Sequence, residues 1–304
     1  MTGPIATKPP LTVWIAAVMA AVALLLALGN LHRTPWLATS AYRSERFNLR
    51  RLHEVAPDAL HIVALGTSKT MYAMDFDDSF AARIASSGRR VVFHRLTASD
   101  PEFGDVLPAL AAIAQRPPNV LLVESELLLF DRSDRALLDV MLKRSRQNVL
   151  MLANLVSGLV HRELSNNRGL EEWTIQSRCL QSETADALDT YADHAARWRM
   201  TTDAERLVWL VYLRRMRAAG TRVVLLAVPR APSADGAVPA DLKRQGALLR
   251  EELLAQEGFI GWDPGAMAES LYCDQVHVNR RGRAFYSAWL AKQLAALLGA
   301  RPGV

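Results

Sequence analysis

Ser68, in Gly66-Thr67-Ser68-Lys69-Thr70, directly follows the apolar run His61-Ile62-Val63-Ala64-Leu65, and Asp274-Gln275-Val276-His277 lies close to the other end of the chain. A strand that delivers a serine to its C-terminal tip, joined by an Asp-x-x-His late in the same chain, provides a hydroxyl nucleophile, a general base and a carboxylate to orient that base. Each piece alone has a plainer reading. A serine after a strand commonly caps a helix, and a single histidine is more often structural. Asp58-Ala59-Leu60-His61 is a second Asp-x-x-His in the chain, placed before the strand and so at the wrong end of it. Order and topology, rather than either motif, carry the specificity.

Those residues need elements to position them, and the chain supplies a regular series. Apolar runs predict strands at His61 to Leu65, Arg90 to Arg95, Asn119 to Glu124, Thr221 to Val228 and Gly258 to Trp262, with helical stretches between them. That alternation is the pattern of a parallel α/β sheet. Ligands of such sheets bind at the carboxyl ends of the strands. Ser68 follows the first strand, and Asp274 and His277 fall in the loop after the last, before a closing helix over Arg283 to Leu298.

The clearest helix runs from Asp203 to Ala219, with Thr202 and Glu205 as a capping box, Gly220 as its stop, and Leu207, Leu210 and Val211 on one face. Between Asp131 and Met200 helical periodicity is broken at Asn166-Asn167-Arg168-Gly169 and no strand is predicted, so this stretch reads as a helical insertion between the third and fourth strands. No internal repeat or low-complexity tract is visible.

Half of the 304 residues are hydrophobic and 22% are charged, which suits a chain with a substantial core. Part of that apolar content lies elsewhere. Leu11 to Leu31 carries no ionisable side chain over about 20 residues, enough to cross a bilayer, with Trp14 and Trp36 near its ends. The small residues from Ala38 to Ala41 lie about ten residues beyond the run, too far for an ordinary signal-peptide cleavage site, so it reads as an uncleaved anchor. The expected organisation is a short tail over 1–10, an anchor over 11–31, a juxtamembrane segment over 32–57, and a catalytic domain over 58–300 with its insertion at about 131–200.

Lys8 stands before the anchor and Arg33, Arg43, Arg46 and Arg50 after it, a balance that by charge alone keeps the large domain in the cytoplasm. The net charge is +5, but its arginines are spread along helices among acidic neighbours, which argues against nucleic acid. Arg214, Arg215 and Arg217 read as a solvated face. No histidine or cysteine cluster has metal-ligand spacing and no glycine-rich phosphate loop is present, so no metal or cofactor is expected. Cys179 and Cys273 fit either compartment. A bridge between them would pin the insertion beside the catalytic loop, whereas buried free thiols are the alternative.

With Gly66-Thr67-Ser68 after the first strand, and Asp274-Gln275-Val276-His277-Val278-Asn279 with Gly282 before the last helix, the chain resembles the SGNH or GDSL-type hydrolase superfamily over roughly Asp58 to Leu298, outside the insertion. The resemblance implies a flavodoxin-like three-layer domain in which Ser68 is the nucleophile, His277 the base and Asp274 its orienting carboxylate. With the anchor, the chain looks most like the membrane-attached members that work beside envelope polysaccharides, such as alginate O-acetylation proteins and the D-alanine transfer protein of teichoic acids. That likeness implies an exported domain, an acylated-carbohydrate substrate and an export or acylation complex as partner.

The chain also departs from the family. Members usually complete the oxyanion hole with a glycine after the second strand and an asparagine after the third. Here Thr97-Ala98-Ser99-Asp100 has no glycine before Gly104, and the third strand ends Val123-Glu124-Ser125-Glu126. Ser99, Gly104 and Ser125 are the substitute candidates, although Glu124 and Ser125 also read as a plain strand end. Lys69 reads first as a solvated surface lysine, the alternative being a cation beside the nucleophile that favours developing negative charge. Arg230, in Val228-Pro229-Arg230, is either an exposed loop arginine or a ligand for an anionic substrate group. The expected activity is serine-dependent acyl transfer, as esterase or O-acetyltransferase, and a catalytically degenerate scaffold is the alternative.

Overall fold

A computed structural model describes residues 11–30, 58–85, 90–98, 103–131, 191–193, 195–196, 198–254 and 258–299, together with Leu49, Leu52, Val55 and Pro101. The chain divides into two compact units, residues 1–42 with 133–165, and residues 43–132 with 166–304. In the first unit the described element is helix α1, Leu11–Asn30, of 20 residues. At 1.5 Å per residue it is about 30 Å long. Several of its side chains fall outside the described set, and among the described residues no helix is long and apolar enough to cross a membrane. The bilayer reading of this segment therefore rests on its sequence.

The second unit is built on strands β1 (Leu60–Thr67), β2 (Val91–Ala98), β3 (Val120–Glu124), β6 (Arg222–Leu226) and β7 (Phe259–Ile260). They form one five-stranded sheet in the order β2-β1-β3-β6-β7, and all its pairings are parallel. This is the flavodoxin-like order, and it places β1 and β3 side by side at the centre. All five predicted strands are present. Val120 to Glu124 is buried throughout, as a central strand covered on both faces requires.

Side chains alternate across the sheet, and the two sets bury against different helices. On one face Val63, Leu65, Leu121, Val123, Val223 and Leu225 pack with residues of α4 (Phe103–Gln115) and α5 (Asp203–Ala218). On the other, Ile62, Ala64, Leu122, Val224 and Leu226 pack with residues of α2 (Ser68–Ala73), α3 (Asp77–Ile84) and α8 (Arg280–Gly299). Two further helices, α6 (Pro232–Ala237) and α7 (Ala240–Leu254), follow β6. The expected three-layer α/β domain is therefore what the second unit forms.

Two expectations about local structure are corrected. The capping box of α5 is present, with Thr202 and Glu205 bonding reciprocally, and Gly220 ends the helix at φ 87. Its buried face, however, is Trp209, Leu213 and Met216, while Leu207 and Val211 face outward at 60% and 56% exposure. The second correction concerns the insertion. Its ends are strands, β4 (Leu129–Asp131) and β5 (Trp198–Met200), which pair antiparallel with Leu129 opposite Met200. The insertion thus leaves and returns through a two-stranded ribbon, and the helical character expected of residues 132–190 lies outside the described residues.

Candidate active site

The apolar strand β1 runs straight into α2, a helix of six residues. So short a helix is marginal by itself and needs tertiary ties. Thr67 is its N-cap, and the Thr67 hydroxyl accepts from the backbone N–H of Lys69 at 3.1 Å. The capping role belongs to Thr67 and not to Ser68. At the other end, Arg95 from β2 donates to the carbonyls of Met71 and Met74 at 2.7 and 3.0 Å, and Arg283 from α8 donates to that of Tyr72 at 3.0 Å. These two buried cations satisfy carbonyls that a helix C-terminus leaves open.

Freed from capping, the Ser68 Oγ lies 2.9 Å from Nε2 of His277. Nδ1 of the same ring lies 2.8 Å from Oδ2 and 2.9 Å from Oδ1 of Asp274. The backbone N–H groups of Val276 and His277 also donate to Asp274 Oδ1, at 2.9 and 2.8 Å, so the three-residue spacing closes on itself as a tight turn. Burial pushes the Asp274 carboxyl up, but the hydrogen bond and charge of His277, with those two N–H groups, outweigh burial and hold it below the usual carboxylate range. An ionised Asp274 accepts from Nδ1–H, which leaves the Nε2 lone pair facing the serine hydroxyl. The His277 ring packs against Tyr72 at 4.3 Å between centroids. The structure thus brings together the three residues that the sequence singles out as nucleophile, base and orienting acid.

The loop that carries them is framed by backbone pairing. Cys273 N–H donates to the His277 carbonyl at 2.7 Å, Asn279 N–H to that of Leu271 at 2.9 Å, and Tyr272 bridges Val278. Asn279 Oδ1 then accepts from the N–H groups of Arg281 and Gly282 at the start of α8. A Cβ on Gly282 would stand 2.3 Å from the Leu271 carbonyl oxygen, which accounts for the glycine in this block. Cys273 is buried and disulfide-bonded. The chain has one other cysteine, Cys179, which lies outside the described residues.

Beside the serine is an ionic cluster that no sequence motif announces. Lys69, expected in solvent, is buried at 7% exposure. Its ammonium contacts Glu126 and lies 3.7 Å from Glu124 Oε1. Burial pushes that ammonium down to about 7 and the Arg230 charge adds to the effect, while Glu124 and Asp235 pull it back up. Arg230 does lie at the strand ends, but its guanidinium donates to Glu126 and to the Tyr191 hydroxyl, sits 3.7 Å from Asp235 and covers the Trp198 ring. Its fork is engaged inside the protein, which leaves little of it for a substrate anion.

The candidates for oxyanion donors are less well placed. Ser125 opens a 3-10 turn directly after β3 and is half-buried. Gly104 is exposed in the first turn of α4, with nothing within 4 Å of where a Cβ would stand. Ser99 lies outside the described residues. At the β3 tip, where the family's donor would be sought, stands the carboxylate of Glu124, which when ionised only accepts. It accepts from Thr67 N–H at 2.6 Å, Thr67 Oγ1 at 2.8 Å and Thr70 Oγ1 at 2.6 Å.

The other Asp-x-x-His is elsewhere. His61, near the start of β1, is buried 3.2 Å from His94, and burial, with His94 adding, pushes its imidazole down to about 4. Among the described residues, no group of three or more histidine, cysteine, aspartate or glutamate side chains is arranged to hold a metal ion.

No family model matches the chain, and no curated protein matches it. Solved structures do resemble it loosely. A GDSL-like lipase from Bacteroides thetaiotaomicron is 10% identical over 84% of this chain and 97% of its own, with a TM-score of 0.41. An extracellular lipase from Streptomyces rimosus is 13% identical over 78% and 100%, with a TM-score of 0.39. The SGNH-hydrolase family esterase AlinE4 is 13% identical over 81% and 100%, with a TM-score of 0.33. Superpositions this loose decide neither family nor activity, and the geometry around Ser68 has to carry the functional reading.

Proposed function

We propose that the chain is a serine-dependent acyl hydrolase or acyltransferase of the SGNH type. One observation carries this: a continuous hydrogen-bonded line from Ser68 Oγ through both nitrogens of His277 to Asp274, at 2.9 and 2.8 Å. It stands at the carboxyl end of a parallel sheet, and Ser68 itself is half-exposed to an incoming ester. His277 Nε2 takes the hydroxyl proton as Ser68 attacks an ester carbonyl, and returns it to the departing alkoxide. Asp274 keeps the imidazole in the accepting tautomer and stabilises the cation that forms. An acyl-serine results. The same base then activates a second hydroxyl, from water in an esterase or from a sugar in a transferase.

The finer assignment is to O-acylated carbohydrate of the cell envelope. It rests on the resemblance to anchored envelope proteins and on the uncharged 20-residue helix α1 as a single-pass anchor in the cytoplasmic membrane. In this reading the catalytic domain is exported and works within a polysaccharide export or acylation complex. A scaffold that binds glycan without turnover is the second reading, and the acceptor-only Glu124 at the β3 tip favours it.

Hydrolysis of an activated acetyl ester separates the two readings. The catalytic reading expects His277→Ala to lower the rate by about 10²–10⁴-fold, the usual worth of a general base, and Ser68→Ala to form no acyl-enzyme. Full activity in folded Ser68→Ala would overturn it. Adding envelope oligosaccharides to the same reaction distinguishes transferase, which yields acetylated sugar, from esterase, which yields acetate alone.

A further inference from the structure

We propose that Glu124 is a positioning residue for the nucleophile: from the neighbouring strand its carboxylate holds the turn that presents Ser68. The proposal rests on the reading of Ser68 and His277 as nucleophile and base. The Glu124 side chain has no exposed surface. A carboxylate in such a place is costly unless its lone pairs are satisfied. Its three hydrogen bonds all go to the residue before Ser68 and the residue two beyond it, at 2.6 to 2.8 Å.

Those bonds fix more than a contact. The single proton of the Thr67 hydroxyl goes to Glu124 Oε1, which turns its lone pairs towards the Lys69 N–H and locks the N-cap. Thr67 N–H and Thr70 Oγ1 share Oε2, so one oxygen ties the end of β1 to the first turn of α2. Ser68 sits between these ties. With Arg95 and Arg283 on the C-terminal carbonyls, the six-residue helix is fastened at both ends, and Glu124 is the fastening nearer the reactive oxygen. The buried Lys69 Nζ lies 3.7 Å from the same carboxylate.

Gly66 shows that this arrangement has its own space. In the β1–β3 register Leu65 is opposite Val123, which brings Glu124 beside Gly66. A Cβ there would lie 2.8 Å from Glu124 Oε2 and 2.1 Å from Thr70 Oγ1. The glycine leaves room for a carboxylate that reaches across the strands. With an acceptor-only group at the β3 tip, this position serves the nucleophile turn instead of donating to an oxyanion.

The test compares Glu124→Ala, Glu124→Gln and Thr70→Val in the full chain, by crystal structure and by steady-state hydrolysis of an activated acetyl ester. In Glu124→Ala the Ser68 Oγ to His277 Nε2 distance is expected to open beyond about 3.5 Å, past hydrogen-bonding reach. Its kcat is expected to fall about 100-fold, the scale of an ångström of misplacement, with KM within about twofold. Glu124→Gln keeps the shape and one acceptor, and is expected to recover at least about tenfold of that loss in kcat. Thr70→Val removes one tie with little change of volume, so it reports even if Glu124→Ala does not fold, and is expected to show a smaller kcat loss of the same kind.

Folded variants that keep the Ser68–His277 distance would overturn the positioning role, whatever their activity, and so would a loss confined to KM. If the parent protein has no esterase activity, the acyl-transfer reading fails separately. The crystallographic distance then still decides whether Glu124 holds the turn.

Discussion

Gly66→Ala is a severe test of the packing around the nucleophile. The new methyl would stand 2.4 Å from Thr70 Cβ and 2.1 Å from Thr70 Oγ1. Carbon atoms in ordinary contact are about 3.5–4.0 Å apart, so relief requires the first turn of α2 to retreat by about 1 Å. Rotating the Thr70 hydroxyl away is not enough, because its Cβ is fixed to the helix backbone. Overpacking of this kind typically costs about 1–3 kcal/mol. Pulling a buried donor from the Glu124 carboxylate adds about 1.5–3 kcal/mol for a bond to a charged group. The sum, about 2.5–6 kcal/mol, is a large part of ordinary domain stability.

Ser68 begins the displaced turn, so catalysis should fall about 100-fold even in the molecules that fold. Guanidinium unfolding and initial rates on an activated acetyl ester measure the two effects. Gly236→Ala is the control, because nothing lies within 4 Å of its Cβ position. At that site alanine is expected to be neutral or to stabilise by up to about 1 kcal/mol. If Gly66→Ala matched the parent in both stability and rate, the tight Gly66–Thr70–Glu124 packing would be refuted.

Thr202→Ala should cost about 1 kcal/mol in urea unfolding at neutral pH, since it removes the N-cap of α5. Hydrogen bonding to Arg199 holds Glu205 down to about 2, against a smaller opposing effect of burial and with help from Thr202. Its contribution is present above its unfolded value and lost as the pH falls through 2, so the stability gap between parent and Glu205→Gln should close over that range. Asp274→Asn should keep the fold but lower kcat by about 10²–10⁴-fold, because an amide no longer enforces the accepting tautomer of His277. A reporter fused after Val304 should be active only outside the cytoplasm if α1 is an anchor with the domain exported; purely cytoplasmic activity would refute that topology.

The site was legible where chemistry and topology coincide. The strands announce themselves as apolar runs between helical stretches, and the Thr202–Glu205 capping box is a local pattern that needs no tertiary partner. Ser68 and the Asp274–His277 block could be placed at one end of the sheet because a parallel sheet sends all its strand tips the same way. What could not be read was decided by residues far apart in the chain. Lys69 is buried because Glu124, at the tip of β3, and Glu126, in the turn that follows it, are its partners. Leu207, Leu210 and Val211 have a helical spacing as good as that of Trp209, Leu213 and Met216, yet of the first three only Leu210 packs against the core, while Leu207 and Val211 are exposed. Packing against the sheet and α4, which no local spacing encodes, makes that selection. Strand β5 is three residues long and owes its conformation to pairing with β4, across an insertion that no local pattern spans.

If His277 activates Ser68 as a nucleophile, Ser68 should react with a serine-directed fluorophosphonate applied to the purified full chain and followed by intact mass and peptide mapping. One adduct is expected, located on Ser68, absent from Ser68→Ala and strongly slowed in His277→Ala. An unlabelled parent protein, or equal labelling of the parent and Ser68→Ala, would show that Ser68 is not an activated nucleophile.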